Sequence, residues 1–121
     1  MRFAATCLAF ALLTLPASAQ TSFLLGLSIT GDAERKLVRY DCDGAESFDV
    51  EYVNAAPNFL AFVPRDGPTY LMASVVAASG VRYAAATYVW WTKGTEAALY
   101  DATEGDDAAP VLTCSEHIQT P

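Results

Sequence analysis

The sequence predicts an all-β protein, a small antiparallel barrel or sandwich, and three observations carry that expectation. Short runs rich in β-branched and aromatic residues recur at roughly ten-residue spacing. Turn-forming clusters such as Asp43-Gly44, Pro64-Arg65-Asp66-Gly67-Pro68 and Ser79-Gly80 separate them. No apolar stripe of 3.6-residue period runs beyond two turns, so helices have little to build on. Many short strands around one core favour a barrel or a sandwich, and closure also removes sheet edges that would template aggregation.

Lys36–Asp41 is the first strand-like run, and Asp43-Gly44 turns it. Ser47–Asn54 alternates cleanly, with Phe48, Val50 and Tyr52 on one face and Asp49 and Glu51 on the other. Asn58–Val63 is short and apolar, and the Pro64–Pro68 cluster ends it. Thr69–Ala77 and Val81–Ala85 follow, joined through Ser79-Gly80. Thr87–Thr92 is β-branched and aromatic, and Thr95–Tyr100 alternates weakly, with Glu96–Tyr100 the one stretch that also suits a helix. Gly105-Asp106-Asp107 forms an exposed acidic turn, and Pro110–Cys114 is the last run. About eight strands result, with no internal repeat.

The ends of the chain read differently. Arg2 followed by the apolar run Phe3–Leu15, then Pro16 and the small residues Ala17-Ser18-Ala19, reads as a secretory signal peptide over 1–19, cut before Gln20. The apolar run is shorter than the roughly 20 residues a bilayer span needs. No Cys sits at the cut, so no lipid anchor is expected. Residues 20–35, with the apolar patch Phe23-Leu24-Leu25, show no period and read as an N-terminal arm or linker. The domain proper is expected over 36–121.

Export alters the arithmetic of charge and cysteine. The 121 residues hold 7 basic against 14 acidic side chains, and losing Arg2 with the signal leaves 6 against 14, or −8. An acidic chain without a basic block argues against a nucleic-acid partner. The three cysteines become Cys42 and Cys114, and an even count in an oxidising compartment implies a bridge; free thiols or metal ligands are the alternative. No zinc or calcium ligand spacing is present, so no metal and no cofactor are expected. His117, three residues past Cys114, reads as a solvated surface residue, as do the acidic pairs Asp41/Asp43 and Asp106/Asp107.

Chemistry concentrates between Ser79 and Gly94. A hairpin centred on Ala86 places Ser79 opposite Lys93, a hydroxyl facing an ammonium. Three readings of that pair stand open: ordinary surface residues flanking a turn, a Ser-Lys hydrolase dyad, or a polar probe for a partner's carboxylates. The dyad lacks a Ser-x-x-Lys motif and a nucleophile elbow. Adjacent Trp90 and Trp91 point to opposite faces of a strand, so one fills the core while the other needs an interface, a groove or partial cover. Tyr40, Tyr52, Tyr83 and Tyr88 suit a barrel wall, with hydroxyls reaching polar partners.

Tyr40-Asp41-Cys42-Asp43-Gly44, Phe48 through Asn54, Ser79-Gly80-x-x-Tyr83, Trp90-Trp91-Thr92-Lys93-Gly94, Glu96-Ala97-x-Leu99 and Cys114 occur here in one order. In this the chain resembles the C-type lysozyme inhibitor family of Gram-negative bacteria, which has membrane-bound and periplasmic members. The resemblance covers residues 38–115 and rests on two motifs in tandem. It implies an eight-stranded antiparallel β-barrel tied by Cys42–Cys114, no enzyme activity, and c-type lysozyme as partner. By position, Ser79 and Lys93 enter the lysozyme cleft, with Gly80 and Gly94 beside them and Tyr83 and Thr92 supporting the loop. The family's Asn-Gly turn between the motifs is replaced by Ala84-Ala85-Ala86, and the lipidated Cys of membrane-bound members is absent, which favours the periplasm. A barrel binding a small apolar ligand or envelope component is the alternative from another class.

Overall fold

The computed structural model describes residues 17–18 and 21–119, so nearly all of the 1–19 signal segment lies outside the described residues. Eight antiparallel strands close into a barrel in simple sequential order, each paired with its chain neighbours and the last with the first. They are β1 (Glu34–Cys42), β2 (Phe48–Ala55), β3 (Asn58–Pro64), β4 (Thr69–Val75), β5 (Val81–Ala85), β6 (Tyr88–Lys93), β7 (Glu96–Asp101) and β8 (Leu112–Glu116). Among the described residues no helix is long and apolar enough to cross a membrane.

Alternation decides which side chains fill the barrel. Val38 and Tyr40 from β1, Val50 and Tyr52 from β2, Ala61 and Val63 from β3 and Met72 from β4 are buried within it. Tyr83, Trp90, Ala97, Leu99 and Leu112 complete one continuous core. Trp90 is fully buried, and its ring meets Tyr40 edge-on at 5.1 Å between centroids. Its Nε1–H donates to the Tyr52 hydroxyl at 2.9 Å, and the Tyr52 and Tyr40 hydroxyls bond each other at 2.8 Å. The polar edges of three large aromatics are thereby satisfied inside the core, where an unpaired group costs about 1–3 kcal/mol. Burial pushes the Tyr52 and Tyr83 phenols above their ordinary range, and Tyr40 further still. The interior is filled mainly by side chains, as suits a barrel of this size, with an open pocket of about 190 Å³ at one mouth between Tyr40, Tyr52, Tyr83 and Thr92.

The expected strands are all present, with shifted edges. The first begins at Glu34, earlier than the Lys36 expected, because Glu34 and Arg35 pair with Asn54 and Val53. The fourth stops at Val75, and Val76 and Ala77 leave the sheet for the loop to Ser79. Glu96–Tyr100 is strand rather than helix, since its residues ladder with both β6 and β8. A short 3₁₀ turn at Ala102–Glu104, capped by the Asp101 carboxylate accepting from Thr103 N, was not foreseen. The last strand lies later than expected, at Leu112–Glu116, because Pro110 has no N–H to donate and Val111 bonds Leu99 O from outside the strand.

Register corrects one expectation that bears on function. Ala85 pairs with Tyr88 and Val81 with Thr92, so the β5–β6 loop is the two residues Ala86-Thr87 rather than a turn centred on Ala86. Ala86 takes the positive φ, 50°, that a two-residue hairpin demands at its first position. Continuing this register opposes Gly80 to Lys93, so Ser79 lies one place past Lys93 instead of facing it.

Closure falls to β1 and β8, joined by three ladder pairs, Tyr40↔Glu116, Asp41↔Ser115 and Cys42↔Cys114, with His117 N–H donating to Arg39 O and Asp43 N–H to Thr113 O beyond its ends. The third pair is the disulfide Cys42–Cys114, across a sequence separation of 72. On the outside of this seam Asp41 accepts from Ser47 Oγ at 2.6 Å and bonds His117 Nδ1 at 2.7 Å. Asp41 and His117 are exposed at the surface, as expected, and the structure adds that they bond each other. Ser47 first, then His117, hold the Asp41 carboxyl below the usual carboxylate range.

Candidate functional site

Antiparallel order sorts the loops between the two barrel ends. The β4–β5 loop with Ser79-Gly80, the β6–β7 turn with Gly94-Thr95, and the start of β1 share one end. The far end carries the β1–β2, β3–β4, β5–β6 and β7–β8 connections. The residues singled out as a cleft-entering pair thus come together at one rim.

Trp91 organises that rim. It lies on the outer face of β6, where period-two alternation also puts Lys93, and its paired residue on β5 is Arg82. The indole Nε1–H donates to the Ser79 carbonyl at 2.8 Å, tying the β4–β5 loop down onto β6. Over the ring, the Lys93 ammonium sits 4.1 Å from the centroid and the Arg82 guanidinium carbon 5.1 Å, both within the ~6 Å range of a cation–π contact. Among the described residues no carboxylate pairs with Lys93.

Gly80 makes this close approach possible. Its φ is +64°, and a Cβ there would stand 2.2 Å from Thr92 O, 2.7 Å from Lys93 Cγ and 3.1 Å from Trp91 Nε1. Any side chain would push the loop off β6. Gly94 also has positive φ, 57°, but open space around it, so its role is the turn itself. Thr92 faces inward at the barrel mouth, and its hydroxyl reaches Val81 O at 3.4 Å, a long bond across the same hairpin. Tyr83 is buried against Tyr52, with ring centroids 5.6 Å apart.

Two open grooves border the rim. One, of about 690 Å³, runs between Gly80, Val81 and Val75 on one side and Phe59, Asn54 and Glu34 on the other. The second, of about 160 Å³, lies on the outer face between Trp91, Lys93, Glu96 and Tyr100. Val76, next to the Ser79 loop, is 95% exposed. Among the described residues no group of three or more His, Cys, Asp or Glu is placed to hold a metal. A Ser-Lys dyad finds no support, because Lys93 is exposed and stacked on Trp91 instead of lying in a buried site facing Ser79.

The sequence singles out Ser79, Gly80 and Lys93, which the structure places at one rim, but leaves Trp91 with an unspecified outer cover and gives Arg82 no role. The signal was present: Trp91 and Lys93 are two residues apart on a strand and so share a face.

Fold and site define a class, a small closed antiparallel barrel carrying its polar chemistry on a stapled loop at one end. Residues 40–108 match the family described as MliC, membrane-bound lysozyme-inhibitor of c-type lysozyme. A membrane-bound lysozyme inhibitor of C-type lysozyme from Pseudomonas aeruginosa is 40% identical over 100 residues, covering 80% of this chain and 79% of that protein. A protein of the same name from Cupriavidus necator is 46% identical over 77 residues, covering 64% of this chain and 62% of its own length. The crystal structure of Pseudomonas aeruginosa MliC in complex with hen egg white lysozyme superposes with a TM-score of 0.66 at 37% identity, over 83% of this chain and 99% of that one. The chain belongs to the MliC family, whose named relatives are inhibitor proteins rather than enzymes.

Proposed function

We propose that this protein inhibits c-type lysozyme by inserting the Ser79/Lys93 rim into the active-site cleft. The carrying observation is that a hydroxyl-bearing loop and an ammonium with no carboxylate partner among the described residues are held on one indole at one barrel end. Membership of a family with a member crystallised on hen egg white lysozyme supports the same partner.

The chemistry fits a retaining glycosidase, which works with one protonated carboxyl as acid and one ionised carboxylate as nucleophile. Lys93 pairs with the ionised carboxylate, Ser79 bonds the other, and together they exclude the sugar. A charge pair of this kind ranges from break-even to several kcal/mol, so losing Lys93 shows mainly as faster dissociation. The mature charge of −8 speeds encounter with a basic lysozyme, and that advantage falls with salt.

Action in the periplasm, after removal of residues 1–19 and without a lipid anchor, is part of the proposal. It is supported by Gln rather than Cys at position 20, whereas the named relatives are called membrane-bound. Fractionation tests it directly: recovery in the osmotic-shock fluid supports it, and recovery with membranes that only detergent releases overturns it.

A turbidity assay tests the function. The purified protein in excess should slow the clearing of cell walls by c-type lysozyme, and unchanged clearing with several such lysozymes refutes it. Inhibition surviving in the Ser79→Ala/Lys93→Ala double variant would refute the site while leaving the function.

A further inference from the structure

We propose that Trp91 is the positioning residue of this rim: its N–H pins the Ser79 loop and its ring face seats Lys93, so both groups are presented in register before a partner arrives. This rests on the inhibitor reading above and adds to it a residue that need not touch the partner's reacting carboxyls.

Ser79 belongs to a segment outside the sheet, and residues 76–80 have no ladder partner to fix them. Their link to β6 is the hydrogen bond from Trp91 Nε1–H to the Ser79 carbonyl, at 2.8 Å. Lys93 is the last residue of its strand, exposed, and carries a long flexible stem that would otherwise sweep many rotamers. The Trp91 face confines its ammonium at 4.1 Å. One rigid two-torsion side chain thus removes freedom from two groups, one on a loop and one at a strand end. Ordering them in the free protein lowers the entropic cost of binding, which is how preorganisation raises affinity.

Three neighbours fit this role. Arg82, directly opposite Trp91, covers the same ring at 5.1 Å, so two cations share one indole. Their mutual repulsion favours an incoming carboxylate at the Lys93 side, where Glu96, the cross-strand neighbour of Lys93, forms no ion pair with it. Tyr100 braces the indole at 6.2 Å between centroids. Gly80 completes the device, because only a residue without Cβ lets the loop lie against Trp91 and Thr92.

Two variants and one spectroscopic signature test the proposal. Trp91→Leu removes both the donor and the aromatic face, whereas Trp91→Phe restores a face without the donor. In the free wild-type protein the Lys93 ε-methylene protons should be shifted upfield by the indole ring current. The shift should persist in reduced form in Trp91→Phe and vanish in Trp91→Leu. In the lysozyme assay Trp91→Leu should need roughly tenfold more protein for half-inhibition, with Trp91→Phe between it and wild type. An unshifted Lys93 methylene in the folded wild-type protein overturns the proposal, and so does a folded Trp91→Leu that inhibits like wild type. If Trp91→Leu does not fold, the wild-type signature and Trp91→Phe still decide, since a Trp91→Phe that inhibits like wild type denies the hydrogen bond its part. Wild-type protein that fails to inhibit at all sinks the inhibitor reading instead, and leaves the ring-current result to judge the geometry alone.

Discussion

Replacing Cys42 and Cys114 together by alanine asks whether the last seam of the barrel holds itself closed. Three ladder pairs join β1 to β8, the disulfide being one of them, with one more backbone hydrogen bond beyond each end. With a separation of 72 residues, the bridge closes most of the domain into one loop. In the chain-entropy description that restricts the unfolded state by about 4 kcal/mol. Against a typical domain stability of about 5–15 kcal/mol, this is a large fraction. At roughly 4–8 °C per kcal/mol for a domain of this size, the melting temperature should fall by about 15–30 °C. Calorimetry gives that shift, and urea titration adds a second sign. An unfolded chain freed of its cross-link exposes more surface, so the denaturant slope should rise as the midpoint falls. At low temperature the double variant should still inhibit lysozyme, because Cys42 ends β1 away from the Ser79 rim. A loss under about 5 °C with an unchanged slope would refute the reasoning, and would mean that the hydrogen-bonded seam closes the barrel unaided.

Two further outcomes follow from particular contacts. Gly80→Ala should fold with a melting temperature close to wild type yet lose most lysozyme inhibition, because a Cβ 2.2 Å from Thr92 O displaces an exposed loop and leaves the core alone; unimpaired inhibition would count against the stapled loop. Asp41 is held below its ordinary value of 3.8 by Ser47 and then His117, so its contribution is present above that value and is lost as pH falls through its own lower one. Asp41→Asn should therefore flatten the acid limb of a plot of melting temperature against pH, and an unchanged limb would assign acid sensitivity to other carboxylates.

Much of the fold was legible because period-two alternation is a local property. The Phe48-Val50-Tyr52 face is on the core side, and Trp90 and Trp91 part to opposite faces as adjacent strand residues must. Strand edges were less legible, since an edge depends on what lies opposite. Glu34 and Arg35 look like linker until Asn54 and Val53 pair with them, while Val76 and Ala77 look like strand yet leave the sheet. The hairpin register slipped by one for a related reason. Three consecutive alanines contain no glycine or asparagine to announce that Ala86 takes the positive φ.

By itself, then, the sequence determined the alternating faces, the turns at glycine and proline, the acidic charge and the two cysteines available for a bridge. It also presented the paired Ser79 and Lys93 motifs. The tertiary structure decided that the strands close on themselves, that Cys42 and Cys114 meet across the closing seam, and that one indole reaches both Ser79 and Lys93. Those outcomes depend on distances between residues far apart in the chain. Local propensity carries no information about such distances until packing and pairing have brought the strands together.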